Sequence, residues 1–154
     1  MNAHELAQLN IAVMKQPLDS PEMADFVANL DRINALAEAS PGFVWRLQTD
    51  EGDATAVRPL GDLTLVNVSV WTDVAALRDY VYQSAHVEIL RRRKEWFDRV
   101  QEATTVRWGV PAGQRPDVHE AVERLARLRR DGPSPAALPL AHPGPPPGPP
   151  CPRA

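Results

Sequence analysis

Residues 63–86 read LTLVNVSVWTDVAALRDYVYQSAH, and Leu63 to Trp71 alternate as a strand does. Val66, Val68 and Val70 share one face, while Leu65, Asn67, Ser69 and Trp71 share the other, because successive strand side chains point to opposite sides. The valine face is plain core. The mixed face carries more information, since a buried amide or hydroxyl needs a partner or a ligand. Thr72-Asp73 then caps a helix with Val74, Leu77 and Val81 on its inner stripe, and Tyr80 and Tyr82 read as helix packing. Around Ser84 the periodicity restarts with Val87, Leu90 and Phe97 inward, so a helix pair or one bent helix is expected to about Val100.

Upstream, Glu5 to Met14 alternate as a first strand, with Leu9, Ile11 and Val13 on one face and Gln8, Asn10 and Ala12 on the other. Ser20 caps and Pro21 opens a helix with Met23, Phe26, Val27, Leu30, Ile33, Leu36 and Ala37 at helical spacing, and Ser40-Pro41-Gly42 stops it. Phe43 to Thr49 is a second strand, on which Phe43, Trp45 and Leu47 oppose Val44, Arg46 and Gln48. Downstream, Ala103 to Val110 is a fourth strand, with Thr104, Val106 and Trp108 opposite Thr105, Arg107 and Gly109. Pro116 opens a last helix bearing Val118, Ala121, Val122, Leu125 and Leu128 on one side, and Gly132 ends it. Residues 1–132 therefore form one domain. Residues 133–154 turn to proline, glycine and alanine, a composition that predicts a disordered or polyproline-like tail.

The order strand, helix, strand, strand, helix pair, strand predicts an α+β, ferredoxin-like βαββαβ domain. Its four antiparallel strands have helices on one face, with an extra C-terminal helix. The other face would then be open and would carry Gln8, Asn10, Asn67, Ser69 and Trp71. So large a mixed face predicts a partner, and a second copy of the chain is the simplest one.

At 154 residues, 44% hydrophobic and 24% charged, the chain has the composition of one soluble globular domain. A net charge of −3 gives no nucleic-acid footprint, and the basic run Arg91 to Lys94 reads as a solvated helix face balanced by Glu88, Glu95 and Asp98. No apolar run reaches membrane-spanning length, and the N-terminal residues lack a signal-peptide layout, so a cytoplasmic protein with no membrane partner is expected. The single Cys151 excludes an internal disulfide and a cysteine-based metal cluster, and no metal-ligand motif, phosphate loop or nucleophile elbow is present.

Taken together, the stretches LAQLNIA, PGFVWRL, NVSVW, YVYQSAHVEILRRRKEWF, VPAG and RDGPSPAA resemble an uncharacterised bacterial domain-of-unknown-function family of the dimeric α/β-barrel superfamily. Antibiotic-biosynthesis-type monooxygenases belong to the same superfamily. The resemblance implies a homodimer that encloses a small-molecule cavity. Members tend to continue with a short strand beyond about Leu138, where Pro139 disfavours one here.

The NVSVW spacing is similar to that of the cofactor-independent oxygenases, which implies an aromatic or polyketide-like substrate and no cofactor. By that resemblance Asn67 donates to the substrate oxyanion and Trp71 forms an apolar wall, in a dry cavity of pre-aimed donors. The bland alternative is that Asn67 bonds across the sheet and Trp71 plugs the barrel end. His86 is a third catalytic candidate, as a general base. Gln8, Asn10, Ser69, Arg46, Trp45 and Trp108 are candidates for substrate contact. Arg46 and Arg107 stand on strands, where an arginine can neutralise a carboxylate or phenolate, but a one-residue slip of register swaps them with Trp45 and Trp108. The haem-degrading branch of the superfamily implies a rival use of Asn10, Trp71 and His86, with His86 on iron. A third alternative is a ligand-binding module without chemistry.

Overall fold

The computed structural model describes residues 4–49, 55, 57–82, 87–88 and 91–139. Strand β1 (His4–Val13) leads through a short 3-10 turn (Pro21–Met23) into helix α1 (Ala24–Ala39). Strands β2 (Phe43–Arg46) and β3 (Thr64–Trp71) follow, then helix α2 (Val74–Val81) and a single turn α3 (Arg93–Trp96). Strand β4 (Thr105–Pro111) and helix α4 (Val118–Asp131) complete the elements. The four strands form one antiparallel sheet in the order β2-β3-β1-β4. This is the ferredoxin-like arrangement that the element order predicts.

Local chemistry sets the joints. Asp73 caps α2 by accepting from the Ala76 N–H at 2.8 Å, and Asp117 caps α4 by accepting from the His119 N–H at 2.9 Å. Ser20, expected to cap the first helix, instead donates its hydroxyl to the Pro17 carbonyl. Gly42 joins α1 to β2 at φ 86°, and a Cβ there would lie 2.4 Å from the Ala76 Cβ. Its carbonyl accepts from the Thr72 N–H at 2.8 Å, so this turn locks the end of α1 to the end of β3.

The faces are covered differently from expectation. Ala7, Leu9 and Ile11, Val66, Val68 and Val70, and Val106, Trp108 and Val110 form the valine face. That face packs against Ala121, Leu125 and Leu128 of α4 and against Ala137. The mixed face lies under the other helices. At one end Leu6 and Trp71 meet Ala37 of α1 and Leu77 of α2, and at the other Met14 and Leu65 meet Met23 and Trp96. Helices thus lie on both faces within one chain, those on the mixed face seated at its two ends. Alternation shows which residues share a face, not which layer covers it. The mixed face is apolar at both ends and polar only in the middle, so helices can seat on its ends.

Past α4 the backbone turns back to the sheet. Arg107 and Leu138 exchange backbone hydrogen bonds of 2.6 and 2.9 Å, and Ala137 is fully buried. Residues 134–138, placed by composition in a disordered tail, therefore pack on β4. The contact is one isolated bridge rather than a strand, as a following proline favours.

Candidate functional site

The registers bring the mixed face into rows. Arg46, Ser69, Gln8 and Arg107 stand side by side across all four strands. Beside that row lie Asn67, Asn10 and Thr105 on β3, β1 and β4, and beyond it on the other side lie Trp71, Leu6 and Gly109. The central row is buried at Ser69 (5% exposed), Gln8 (5%) and Arg46 (9%), whereas Asn10 and Asn67 reach solvent. The polar centre of the face is thus open at one row and closed at the next.

One amide organises this centre. Gln8 Nε2 donates both of its hydrogens, to Asn67 Oδ1 at 2.8 Å and to Ser69 Oγ at 2.8 Å. Trp71 Nε1 donates to the same Ser69 oxygen, again at 2.8 Å. With its carbonyl oxygen engaged by Gln8, the exposed Asn67 keeps its NH2 group as a donor. Ser69 Oγ accepts twice, so its own O–H remains to be given.

Trp71 is only 1% exposed. Its ring stacks on Tyr80 at 5.2 Å and meets Phe43 edge-on at 5.4 Å. It therefore forms the packed end of the site, tied to the polar centre by its N–H. Burial pushes the Tyr80 hydroxyl up to about 12, against the opposing pull of the Arg46 charge, so Tyr80 is a neutral wall and not a base at neutral pH.

The two strand arginines both lie on this face. Arg46 is paired with Glu38 of α1 at 2.9 Å. Arg107 has no ion pair among the described residues, and its Nε is buried without a hydrogen-bond partner. Burial and the nearby charge of Arg78 hold the Arg107 guanidinium below its usual range.

Trp45 and Trp108, expected among the ligand contacts, lie on the opposite face, within the α4 core. A bulge in β2 is the reason for Trp45. Phe43 pairs with Trp71 but Trp45 with Val70, so two residues that strict alternation puts together separate to opposite faces. Trp108 follows the alternation of β4 and packs beneath Arg124, 5.5 Å above its ring. His86 lies outside the described residues. Among the described residues, no group of three His, Cys, Asp or Glu side chains could hold a metal ion. Arg107 and Tyr80 complete the cluster. Residue type alone points to Arg107 but leaves its face undecided, and nothing on α2 alone signals Tyr80, because its stacking on Trp71 spans two elements.

What the arrangement offers chemically is a set of donors, from Asn67, Ser69 and Arg107, above an aromatic end wall. Such a set favours an oxygen anion over its neutral form, because a donor strengthens its bond as charge develops on the acceptor.

A family model described as "Domain of unknown function (DUF3291)" matches residues 5–152, and the chain belongs to that family. No curated protein matches. Among solved structures, the chain is similar to SnoaB, a cofactor-independent oxygenase from Streptomyces nogalater, at 22% identity and a TM-score of 0.48, covering 75% of this chain and 100% of that one. It is also similar to NE2512, a protein of unknown function from Nitrosomonas europaea, at 13% identity and a TM-score of 0.49, covering 76% and 99%. At these identities and scores, no activity follows from either likeness. No helix among the described residues is long and apolar enough to cross a membrane.

Proposed function

We propose that this member of the DUF3291 family binds a phenolic or enolic small molecule on the mixed face and oxygenates it without a cofactor. The observation that carries the reading is the Gln8 amide, which ties up Asn67 Oδ1 and so leaves the exposed Asn67 NH2 as a fixed donor. A phenol or enol oxygen bonded there gives its proton more readily to water at the solvent-exposed Asn10–Asn67 row, and its electron density passes to the ring or α-carbon. That carbanion then reacts with O2 directly. For an anthrone-type substrate the CH2 becomes C=O, a four-electron oxidation, while one oxygen atom enters the product and the other leaves as water. The balance closes with O2 as the only oxidant.

The chain's part is to hold the anion, exclude water at the Trp71–Tyr80 end and orient the ring. Glu38, brought to this face from α1, is spent on Arg46, so ionisation rests on the donors rather than on that carboxylate. A second copy is not needed to close the site in this reading. The likeness to an oxygenase fold agrees with the proposal without carrying it.

Oxygen consumption tests it. Purified protein with an anthrone should take up one O2 per substrate, and Asn67→Ala should lower kcat/KM by about 10²–10³-fold, the usual effect of removing one oxyanion donor. Binding of the substrate without oxygen uptake would make the chain a binding module. Unchanged turnover in Asn67→Ala would remove Asn67 from the site.

A further inference from the structure

Arg107 stands in the same row as Arg46, yet the two arginines are treated oppositely. Arg46 is neutralised by Glu38 at 2.9 Å, whereas no carboxylate among the described residues pairs with Arg107. Burying a guanidinium N–H with no acceptor is costly, and a like charge nearby adds to the cost. Arg78 of α2 is that neighbour, close enough to act on Arg107 by its charge. Nor can the strand carry Arg107 away. Its N–H donates to the Leu138 carbonyl and its carbonyl accepts from the Leu138 N–H, so its backbone is clamped from the outer side. With both backbone bonds going outward, Arg107 and Gln8 form a non-hydrogen-bonded pair, the kind whose Cα atoms approach to about 4.5 Å. The unpaired guanidinium is therefore rooted beside the amide that aims Asn67.

We infer that Arg107, with Arg78 near it, is the anion-binding end of this site, so that the ligand is a planar organic acid. Its carboxylate lies at Arg107 on β4, and its phenolic or enolic oxygen lies at Asn67 on β3. One strand stands between them and their rows differ by two residues, so the two groups are rooted about 12 Å apart at the backbone. A two-ring ligand with oxygen functions at opposite ends fits that separation. Arginine suits the carboxylate end because its planar fork gives two parallel hydrogen bonds.

The inference rests on the mixed face being the ligand site, and two probes separate the two claims. Titration calorimetry would compare 2-naphthol, which carries only the hydroxyl, with 6-hydroxy-2-naphthoate, which carries both groups. The acid should bind at least about tenfold more tightly than the naphthol, as hydrogen bonds to a charged group imply. Arg107→Gln should abolish that preference, and Arg107→Lys should keep part of it. Circular dichroism confirms that each variant is folded. Equal affinities for the two probes in the wild type, or a preference that survives Arg107→Gln, would overturn the acid-binding role and leave the site reading standing. Failure of both probes to bind the wild type would overturn the site reading and this inference with it.

Discussion

Ser69 holds the polar centre together. Its oxygen accepts from both Gln8 and Trp71, each at 2.8 Å and each largely buried. Ser69→Ala would leave the indole N–H and one amide hydrogen without a partner, and an unsatisfied buried donor costs about 1–3 kcal/mol. Urea denaturation should show a loss of that size with an unchanged slope against denaturant. A loss below a few tenths of a kcal/mol would mean that the two donors find other acceptors. At this scale much was legible in the sequence. Asn67, Ser69 and Trp71 announced themselves as polar and aromatic residues on one strand face, and Gln8 and Asn10 joined them by alternation on β1. Arg107 was legible as a strand arginine able to neutralise an anion, but its lack of the carboxylate partner that Arg46 has was not, because that depends on where α1 places Glu38.

At the scale of elements, the Asp73 cap and the stops at Ser40-Pro41-Gly42 and Gly132 followed from residue type, while the Ser20 cap, the end of β2 and one bulge did not. Between Phe43 and Trp45 the register slips, and the slip sends Trp45 to the α4 side and Arg46 to the ligand side. No residue in FVWR signals this, since a bulge answers to the partner strand. Gly42, immediately before β2, is the converse case: its left-handed backbone and its contact with Ala76 allow no other side chain. Gly42→Ala should cost about 1–3 kcal/mol from backbone conformation alone, with the clash in addition. Thermal denaturation would register this as a fall in Tm of several degrees. An unchanged Tm would show that the α1–β2 turn can shift without disturbing α2.

Across the whole molecule, the largest departure concerns what covers each sheet face. The valine face read as the core beneath the βαββαβ helices, and the mixed face as the wall between two copies. Instead α4 takes the valine face, burying Ala121, Leu125 and Leu128 against it, and the chain continues to Leu138 to finish the cover. A full Leu burial is worth about 1.5–3 kcal/mol, so α4 repays its ordering by docking on this face of its own sheet. The helix was legible from its stripe and caps. Its destination was not, because an apolar stripe fits any apolar face that the topology leaves within reach.

The central claim is that the ligand sits on the mixed face inside a single chain, and the tryptophans report on it directly. Trp71 lies on that face, Trp45 and Trp108 lie on the other, and Trp96 lies at the far apolar end. Titrating 15N-labelled protein with 6-hydroxy-2-naphthoate should move the Trp71 indole N–H and the Asn67 side-chain NH2 signals, with Trp45 and Trp108 left in place. Movement of Trp45 and Trp108 with Trp71 and Asn67 unmoved would put the ligand on the valine face and contradict the account.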